Sequence, residues 1–221
     1  FGVEVMAGGA SGVQMGGWFN KEINSVADLD GLKMRMPGLG GDVMQQMGVA
    51  TVSMPGGEIF TSLQSGAIDA TEWIGPYNDL AFGLYQAAKY YYYPGWHEPT
   101  VTFEAIVNDD AMAELPKDLQ AILRSAVRDV NQDMLDEYTA RNNDALETLL
   151  NEHKVELRRY PQDVLDKARE LSGEVVKKLG DSNDLAGRIY ESYTTFEGKV
   201  EKWHEVSEQA YLNARNPEGV Q

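Results

Sequence analysis

Short apolar runs alternate with short helix-like segments over the first hundred residues. Strand-like runs cover residues 32–36, 50–54 and 68–74. The segments between them predict helices over residues 38–48, over residues 58–64 with Gly66 as the stop, and from Pro76 to about Ala88. Strands that alternate with short helices predict an α/β layer with a sheet inside.

A different pattern begins near Asn108, where the chain becomes charged and helix-periodic. Alternation over residues 100–107 predicts a strand, and Pro116 opens a long helix. The apolar positions of this helix follow three-and-four spacing, which predicts one buried face; they are Leu119, Ile122, Leu123, Ala126, Val127, Val130, Met134 and Tyr138.

Three more elements complete the pattern. A brief strand is predicted over residues 155–160, and a helix from Pro161 runs to the break at residues 180–183. The last helix carries apolar positions from Leu185 to Tyr211 and is expected to stop at Asn216-Pro217. Its length of about 45 Å exceeds one small lobe. We therefore expect it to cover two lobes or another subunit.

Composition and charge narrow the classes of function. The chain has 221 residues, 43% of them apolar, which is enough for a substantial core. A net charge of −16 argues against a nucleic-acid partner. Cysteine is absent, which excludes disulfides and zinc–thiolate sites. No apolar run approaches the roughly 20 residues of a membrane span. Since the chain begins at Phe1 in a strand-like run, we interpret it as a mature piece of a longer protein.

Arg35 is the first candidate for chemistry, because it lies inside a short apolar run where a guanidinium needs an anion. Its fork of donors suits a carboxylate ligand, although an ordinary structural ion pair is an equally open reading. Arg35 lies at the end of a predicted strand, and Glu72 and Trp73 lie at the end of a later one. Ligands of α/β sheets collect outside the carboxyl ends of strands, so these residues predict a small polar pocket with an aromatic wall.

Three segments carry a resemblance to a known family. They are residues 25–37 (SVADLDGLKMRMP), residues 62–72 (SLQSGAIDATE) and residues 114–120 (ELPKDLQ). In this order they resemble the solute-binding proteins of TRAP transporters, of the DctP type. The resemblance implies an α/β, periplasmic-binding-protein-like two-lobe fold with hinge strands, a long lobe-spanning helix and a long C-terminal helix. It also implies a periplasmic location, delivery of a solute to a membrane permease, and a salt bridge from Arg35 to the solute carboxylate.

The Glu72-Trp73 pair departs from many family members, in which asparagine follows the glutamate. It is similar to the branch that binds 2-oxo and 2-hydroxy monocarboxylates, such as pyruvate or lactate, through a metal ion. In that branch the matching ligands would be the Gln14 side chain, Glu72, the Trp73 carbonyl and Glu98. An all-oxygen set suits calcium or sodium. The predicted solute contacts are therefore Arg35, Gln14, Glu72 and Trp73.

The resemblance also implies a division of the chain into segments. Residues 1–12 are expected to form a hinge strand and turn, and residues 13–98 a second α/β lobe with the ligand and metal site. Residues 99–138 would supply a hinge strand and the start of a long helix that returns to a first lobe, mostly missing. Residues 139–180 would form a helix–strand–helix unit on the second lobe, and residues 181–221 the C-terminal helix.

We therefore expect a ligand-binding receptor without catalysis. Two other functions stay open beside it. Glu72 and Glu98 could be the paired carboxylates of a glycosidase or a metal-assisted lyase, with His97 next to them. The C-terminal helices could instead form an interaction module, for which Trp203 and Tyr211 are surface candidates. The same surface fits a homodimer through the C-terminal helix. A chain that lacks most of one lobe is also expected to show poor solubility and weak solute binding.

Overall fold

A computed structural model describes residues 1–215. Within them lie eight strands: β1 (Val3–Ala10), β2 (Gly17–Phe19), β3 (Lys33–Arg35), β4 (Ala50–Val52), β5 (Ala70–Thr71), β6 (Tyr90–Tyr93), β7 (Thr102–Asn108) and β8 (Glu156–Arg159). The α-helices are α1 (Gly38–Gln46), α2 (Gly56–Ser65), α3 (Pro76–Phe82), α4 (Asp109–Glu114), α5 (Lys117–Asn151), α6 (Gln162–Gly180), α7 (Asp184–Val206) and α8 (Glu208–Arg215). Short 3-10 helices cover Val26–Leu29 and Leu84–Gln86.

The chain divides into two compact units, Phe1–Arg169 and the described residues from Glu170 onward. All strands lie in the first unit. Six of them form one mixed sheet in the order β4-β3-β5-β2-β6-β8, and β1 pairs antiparallel with β7 in a separate ribbon. The finer division predicted at residues 12, 98, 138 and 180 remains a prediction.

The predicted alternation of strands and helices is present in the first hundred residues. Strand β3 runs parallel to both β4 and β5, as expected when a helix connects two strands on one face of a sheet. Helix α2 ends at Gly66, which has the left-handed conformation (φ 75°) of a helix C-cap. Helix α3 is shorter than predicted, because Gly83 ends it in the same way.

The core lies between the six-stranded sheet and the helices packed on it. Trp18 and Tyr91 stack with ring centroids 4.1 Å apart, and both side chains are completely buried. Aliphatic residues from α2, the β5 region and the end of α5 surround them; they are Ile59, Leu63, Ile68, Leu149 and Val155. This cluster fixes the strands whose carboxyl ends carry the candidate site.

The predicted buried face of the long helix is wrong for the first half of α5. Leu119, Ile122 and Val130 are 45%, 62% and 56% exposed. The β1–β7 ribbon packs on α5, where Arg124 pairs with Glu4 at 2.6 Å. Because the ribbon is only two strands wide, it covers one flank of the helix and leaves the other apolar positions in solvent.

The C-terminal helix is present in two pieces, whereas the sequence predicts a single helix of about 45 Å. Helix α7 ends at Val206, and Ser207 has a non-helical backbone (φ −110°, ψ −98°) before α8 begins. The Ser207 hydroxyl donates to the Trp203 carbonyl oxygen at 2.7 Å, a local bond that competes with helix continuation. The predicted stop at Asn216-Pro217 lies outside the described residues. Among residues 1–215, none of the helices is long and apolar enough to cross a membrane.

Candidate functional site

Parallel pairing of β3 and β5 brings Arg35 and Glu72 to one edge of the sheet. Arg35 is in register with Thr71, and the Glu72 N–H donates to the Arg35 carbonyl at 3.3 Å. Two residues that are 37 positions apart in sequence therefore lie side by side. The predicted meeting of these strand ends is what the structure shows.

The Arg35 guanidinium is largely buried and already has an acidic partner. Its Nη1 contacts the Glu72 carboxylate and lies 3.4 Å from the Glu72 carbonyl oxygen, and the side chain is 11% exposed. The guanidinium carbon lies 5.6 Å from the centre of the Trp73 ring. The structural ion pair left open by the sequence is thus formed. The guanidinium still has a free donor, because its buried Nε has no hydrogen-bond partner.

Glu72, His97 and Glu98 form a cluster of potential metal ligands. One ligand atom from each lies within 4.8 Å of the others, and His97 Nε2 is 3.7 Å from Glu72 Oε2. Burial, and then the charge of Glu72, raise the pKa of the Glu98 carboxyl above its usual range. Two carboxylates this close repel each other, and a cation between them would remove that repulsion.

The Gln14 side chain is buried, and its amide group forms no hydrogen bond. The residue is 2% exposed, and neither its amide oxygen nor its amide nitrogen has a hydrogen-bond partner. Its main chain is pressed against Gly95, where a Cβ would collide with the Gln14 carbonyl. A buried amide without partners costs free energy, so this side chain has the properties expected of a ligand for an ion or a solute.

Helices α1 and α2 begin beside the same edge of the sheet. A Cβ on Gly40 would lie 3.3 Å from the His97 Cβ, and a Cβ on Gly56 would lie 2.8 Å from the Trp73 ring. The absence of a side chain at Gly56 lets the start of α2 approach the indole. Helix N-termini carry partial positive charge, which favours an anion at this edge.

Asp79, on α3, is a buried acid behind the site. Its Oδ2 accepts hydrogen bonds from Trp18 Nε1 and the Tyr91 hydroxyl, both at 2.8 Å, and its Oδ1 accepts from the Ile74 N–H at 3.2 Å. Burial raises the pKa of the Asp79 carboxyl to about 7, although these hydrogen bonds act in the opposite direction. Asp79 thereby ties the strands β2 and β6 to the segment that carries Glu72 and Trp73.

Comparison with known proteins now identifies the family. The profile described as bacterial extracellular solute-binding protein, family 7 (DctP), matches residues 2–183. The chain belongs to this family. The matched range includes the segments around Arg35, Glu72 and Glu114 that carried the resemblance. The recognition made from those segments is confirmed.

Three known proteins are similar to this family 7 chain in sequence or structure. The monocarboxylate 2-oxoacid-binding periplasmic protein of Nostoc sp. is 44% identical over 213 residues, which are 96% of this chain and 58% of that protein. A TRAP periplasmic solute-binding protein from Pseudoalteromonas atlantica, crystallised with sodium and pyruvate, has a TM-score of 0.90 at 39% identity, covering 96% of this chain and 64% of that one. A TRAP solute-binding protein from Bordetella bronchiseptica, a dimer with calcium and picolinate, has a TM-score of 0.92 at 38% identity, covering 97% and 64%.

These comparisons confirm the predicted fold class of the family 7 chain, the α/β fold of the two-lobe periplasmic solute-binding proteins. The chain spans 58% of the length of the Nostoc relative and 64% of the two crystallised chains.

The structure brings most of the predicted site residues together and adds two polar residues that the sequence did not single out as ligands. Arg35, Glu72, Trp73 and Glu98 are gathered as predicted, and Gln14 is buried in the same unit. The sequence indicates His97 only through its place next to Glu98, and the structure brings it to Glu72 as well. Asp79 had no signal at all, because an aspartate in the first turns of a helix is usually exposed.

Proposed function

We propose that this chain is the solute-binding receptor of a TRAP transporter and captures a small 2-oxo or 2-hydroxy monocarboxylate, such as pyruvate or lactate. The observation that carries this proposal is the convergence of a buried guanidinium and two carboxylates, Arg35, Glu72 and Glu98, at one edge of the sheet. The sodium–pyruvate and calcium–picolinate complexes of the two similar proteins support it.

A calcium or sodium ion fits the donors present. Glu72, Glu98, the Gln14 side chain and the Trp73 carbonyl would hold it, and all of them supply oxygen. The unpartnered Gln14 amide and the mutual repulsion of the two carboxylates are the features of this structure that such an ion would satisfy. The ion would offer a 2-oxo acid a hard Lewis acid for its adjacent oxygens.

Arg35 would bind the carboxylate of the solute. Its Nε is buried without a partner, so a carboxylate oxygen of the solute would supply the missing hydrogen-bond acceptor. Trp73 would form the wall, since its ring stacks on Phe82 with centroids 5.1 Å apart and so keeps its position. We also propose a periplasmic location and delivery of the solute to the membrane permease, in line with the extracellular description of the family.

Titration calorimetry of the full chain tests this function. Protein stripped with chelator would be titrated with pyruvate, lactate, longer 2-oxo acids and a C4 dicarboxylate, in sodium-free buffer, with sodium, and with calcium. We expect the monocarboxylates to bind only with an ion present and the dicarboxylate to bind more weakly. Binding that is indifferent to the ions would remove the ion from the proposal, and failure of every 2-oxo acid to bind would overturn the function.

An enzyme remains the second candidate, and the Glu72–His97–Glu98 cluster is the observation that favours it. A carboxylate pair beside a histidine can move protons in a metal-assisted reaction. The same calorimetry samples, followed by NMR of the solute over several hours, decide the matter. Conversion of any solute would support an enzyme, and unchanged solute supports a receptor.

We further propose that the protein is a homodimer through its C-terminal helices. Helix α7 contains no fully buried residue, and one side carries large apolar residues that are 58–67% exposed: Leu185, Ile189, Tyr193, Phe196 and Trp203. A stripe of this kind is the surface that a second copy would cover. The dimer of the Bordetella protein supports this proposal.

A further inference from the structure

Hydrogen bonds hold the backbone of Glu72 and Ile74 in the segment that follows β5. The Glu72 N–H donates to the Arg35 carbonyl at 3.3 Å, and the Glu72 carbonyl accepts from the Thr71 hydroxyl at 2.8 Å. The Ile74 carbonyl accepts from the Met15 N–H at 2.9 Å. Among the described residues, the Trp73 carbonyl oxygen accepts no hydrogen bond. This oxygen is therefore free to bind another partner.

The orientation of that free carbonyl is set by the other end of its own peptide. The Trp73 C=O and the Ile74 N–H belong to one planar trans unit and point in opposite directions. The Ile74 N–H donates to Asp79 Oδ1 at 3.2 Å. Asp79 is 1% exposed, and its other oxygen is held by Trp18 and Tyr91, so the acceptor cannot swing away. Whatever fixes the Ile74 N–H also fixes the Trp73 oxygen.

We propose that Asp79 is a positioning residue for the cation site, which orients the Trp73 carbonyl as an ion ligand by accepting the hydrogen bond of the Ile74 N–H. This inference rests on the proposed function, because it presumes that the Trp73 carbonyl binds the ion. An acceptor on the N–H also polarises the peptide and increases the negative charge on its oxygen. Outer partners of this kind commonly tune the affinity of a metal site.

Asp79→Asn is the informative substitution, and Tyr91→Phe is its control. Two donors, Trp18 and Tyr91, face one oxygen of Asp79, so the amide oxygen of the asparagine is expected to remain with them. Its NH₂ group would then face the Ile74 N–H, and the hold on the peptide would be lost. Tyr91→Phe removes one hydrogen bond from the same carboxyl group, but Trp18 still holds that oxygen and the Ile74 bond stays in place.

Calcium affinity of the full chain, measured by calorimetry and by terbium luminescence sensitised through tryptophan, is the readout. We expect Asp79→Asn to weaken calcium binding by about 10- to 100-fold, and Tyr91→Phe to bind calcium like the wild type. Saturating calcium should restore the pyruvate affinity of Asp79→Asn. A merely structural defect would instead lower pyruvate affinity at every calcium concentration, and that result would overturn the inference.

A measurement on the wild type keeps the inference testable should Asp79→Asn fail to fold. Amide hydrogen exchange followed by NMR should show slower exchange of the Ile74 N–H once calcium is bound. Unchanged exchange there would count against Asp79. If wild-type protein binds neither ion, the proposed function itself fails. If it binds calcium, and Glu72→Gln weakens binding while Asp79→Asn does not, the inference alone fails.

Discussion

Arg35 is paired with Glu72 in the structure, and the carboxylate of the proposed solute would be its second partner. In the structure its guanidinium contacts the Glu72 carboxylate and carbonyl, yet the buried Nε is left without a partner. An arginine that only stabilised the fold would be expected to have its buried donors satisfied. The free Nε therefore supports the proposal that Arg35 binds the solute.

Arg35→Ala should lower pyruvate affinity by about 2–5 kcal/mol, because the carboxylate would be buried without its counter-charge. Arg35→Lys should bind more weakly than the wild type, since an ammonium group keeps the charge but lacks the fork. Titration calorimetry in calcium measures both. Arg158→Ala is the control, because Arg158 is a half-buried arginine on β8 that pairs with Glu22 and Glu156 and should not affect pyruvate binding. Equal affinity in Arg35→Ala and the wild type would exclude Arg35 from the site.

Asp79 also makes a prediction about stability and pH. Its pKa is about 7 in the folded protein against an ordinary value of 3.8, so between about pH 4 and pH 7 the folded chain holds a proton that the unfolded chain has released. The free energy of unfolding should therefore fall as pH rises through this window and level off above it. Urea unfolding at pH 5 and pH 8 measures this effect. The free energy of unfolding of the wild type minus that of Asp79→Asn should be smaller at pH 8 than at pH 5.

The control for this pH effect is Asp166→Asn. Asp166 is exposed, and hydrogen bonds from Gln162 and Arg169 lower its pKa, so it is ionised in both states above pH 5. Its substitution should change stability by the same amount at pH 5 and pH 8. A wild-type advantage over Asp79→Asn that stayed constant or grew with pH would contradict the buried-acid account.

Among the elements, helix α2 shows how a helix start shapes the site. A Cβ at Gly56 would lie 2.8 Å from the Trp73 ring, whereas a Cβ at Gly57 would meet nothing within 4 Å. The Trp73 ring is stacked on Phe82 and can move only by giving up that contact. Adjacent glycines of one helix thus have different roles, and only Gly56 is required for the approach to Trp73.

Gly56→Ala should displace the Trp73 indole, lower pyruvate affinity and shift the tryptophan fluorescence. Gly57→Ala should leave both unchanged and stabilise the protein by roughly 0.5–1 kcal/mol through helix propensity. Thermal unfolding and pyruvate titration of the two variants give the comparison. Identical pyruvate affinity in both would show that the position of the indole does not matter for binding.

For the whole molecule, the proposed homodimer depends on the C-terminal helices. Phe196 is 67% exposed on the apolar stripe of α7. Phe196→Glu should convert the dimer to monomer, because a charge would be buried in the interface. Thr195→Glu introduces the same charge on another side of the helix and should leave the dimer intact. Sedimentation velocity at several protein concentrations measures this, and a wild-type monomer at all of them would contradict the proposal.

Much of the fold was predictable because its signals are local. Glycine and proline mark both ends of α2 and α3 and the start of α5, and the order of three short motifs identified the family. The extent of the elements was less predictable. The break at Ser207 depends on one hydroxyl that bonds to Trp203, and the exposure of Ile122 depends on the width of the ribbon beside it.

The sequence by itself determined the class of fold, the family and the residue types of the site, since these follow from patterns within a few residues and from the motif that ends in Glu72-Trp73. Only the tertiary structure decided that Arg35 pairs with Glu72, that His97 joins Glu98, and that Asp79 holds the Ile74 N–H. The physical reason is that strand register and burial set these contacts. Register acts across dozens of residues, and burial turns an ordinary aspartate into the fixed acceptor behind the site.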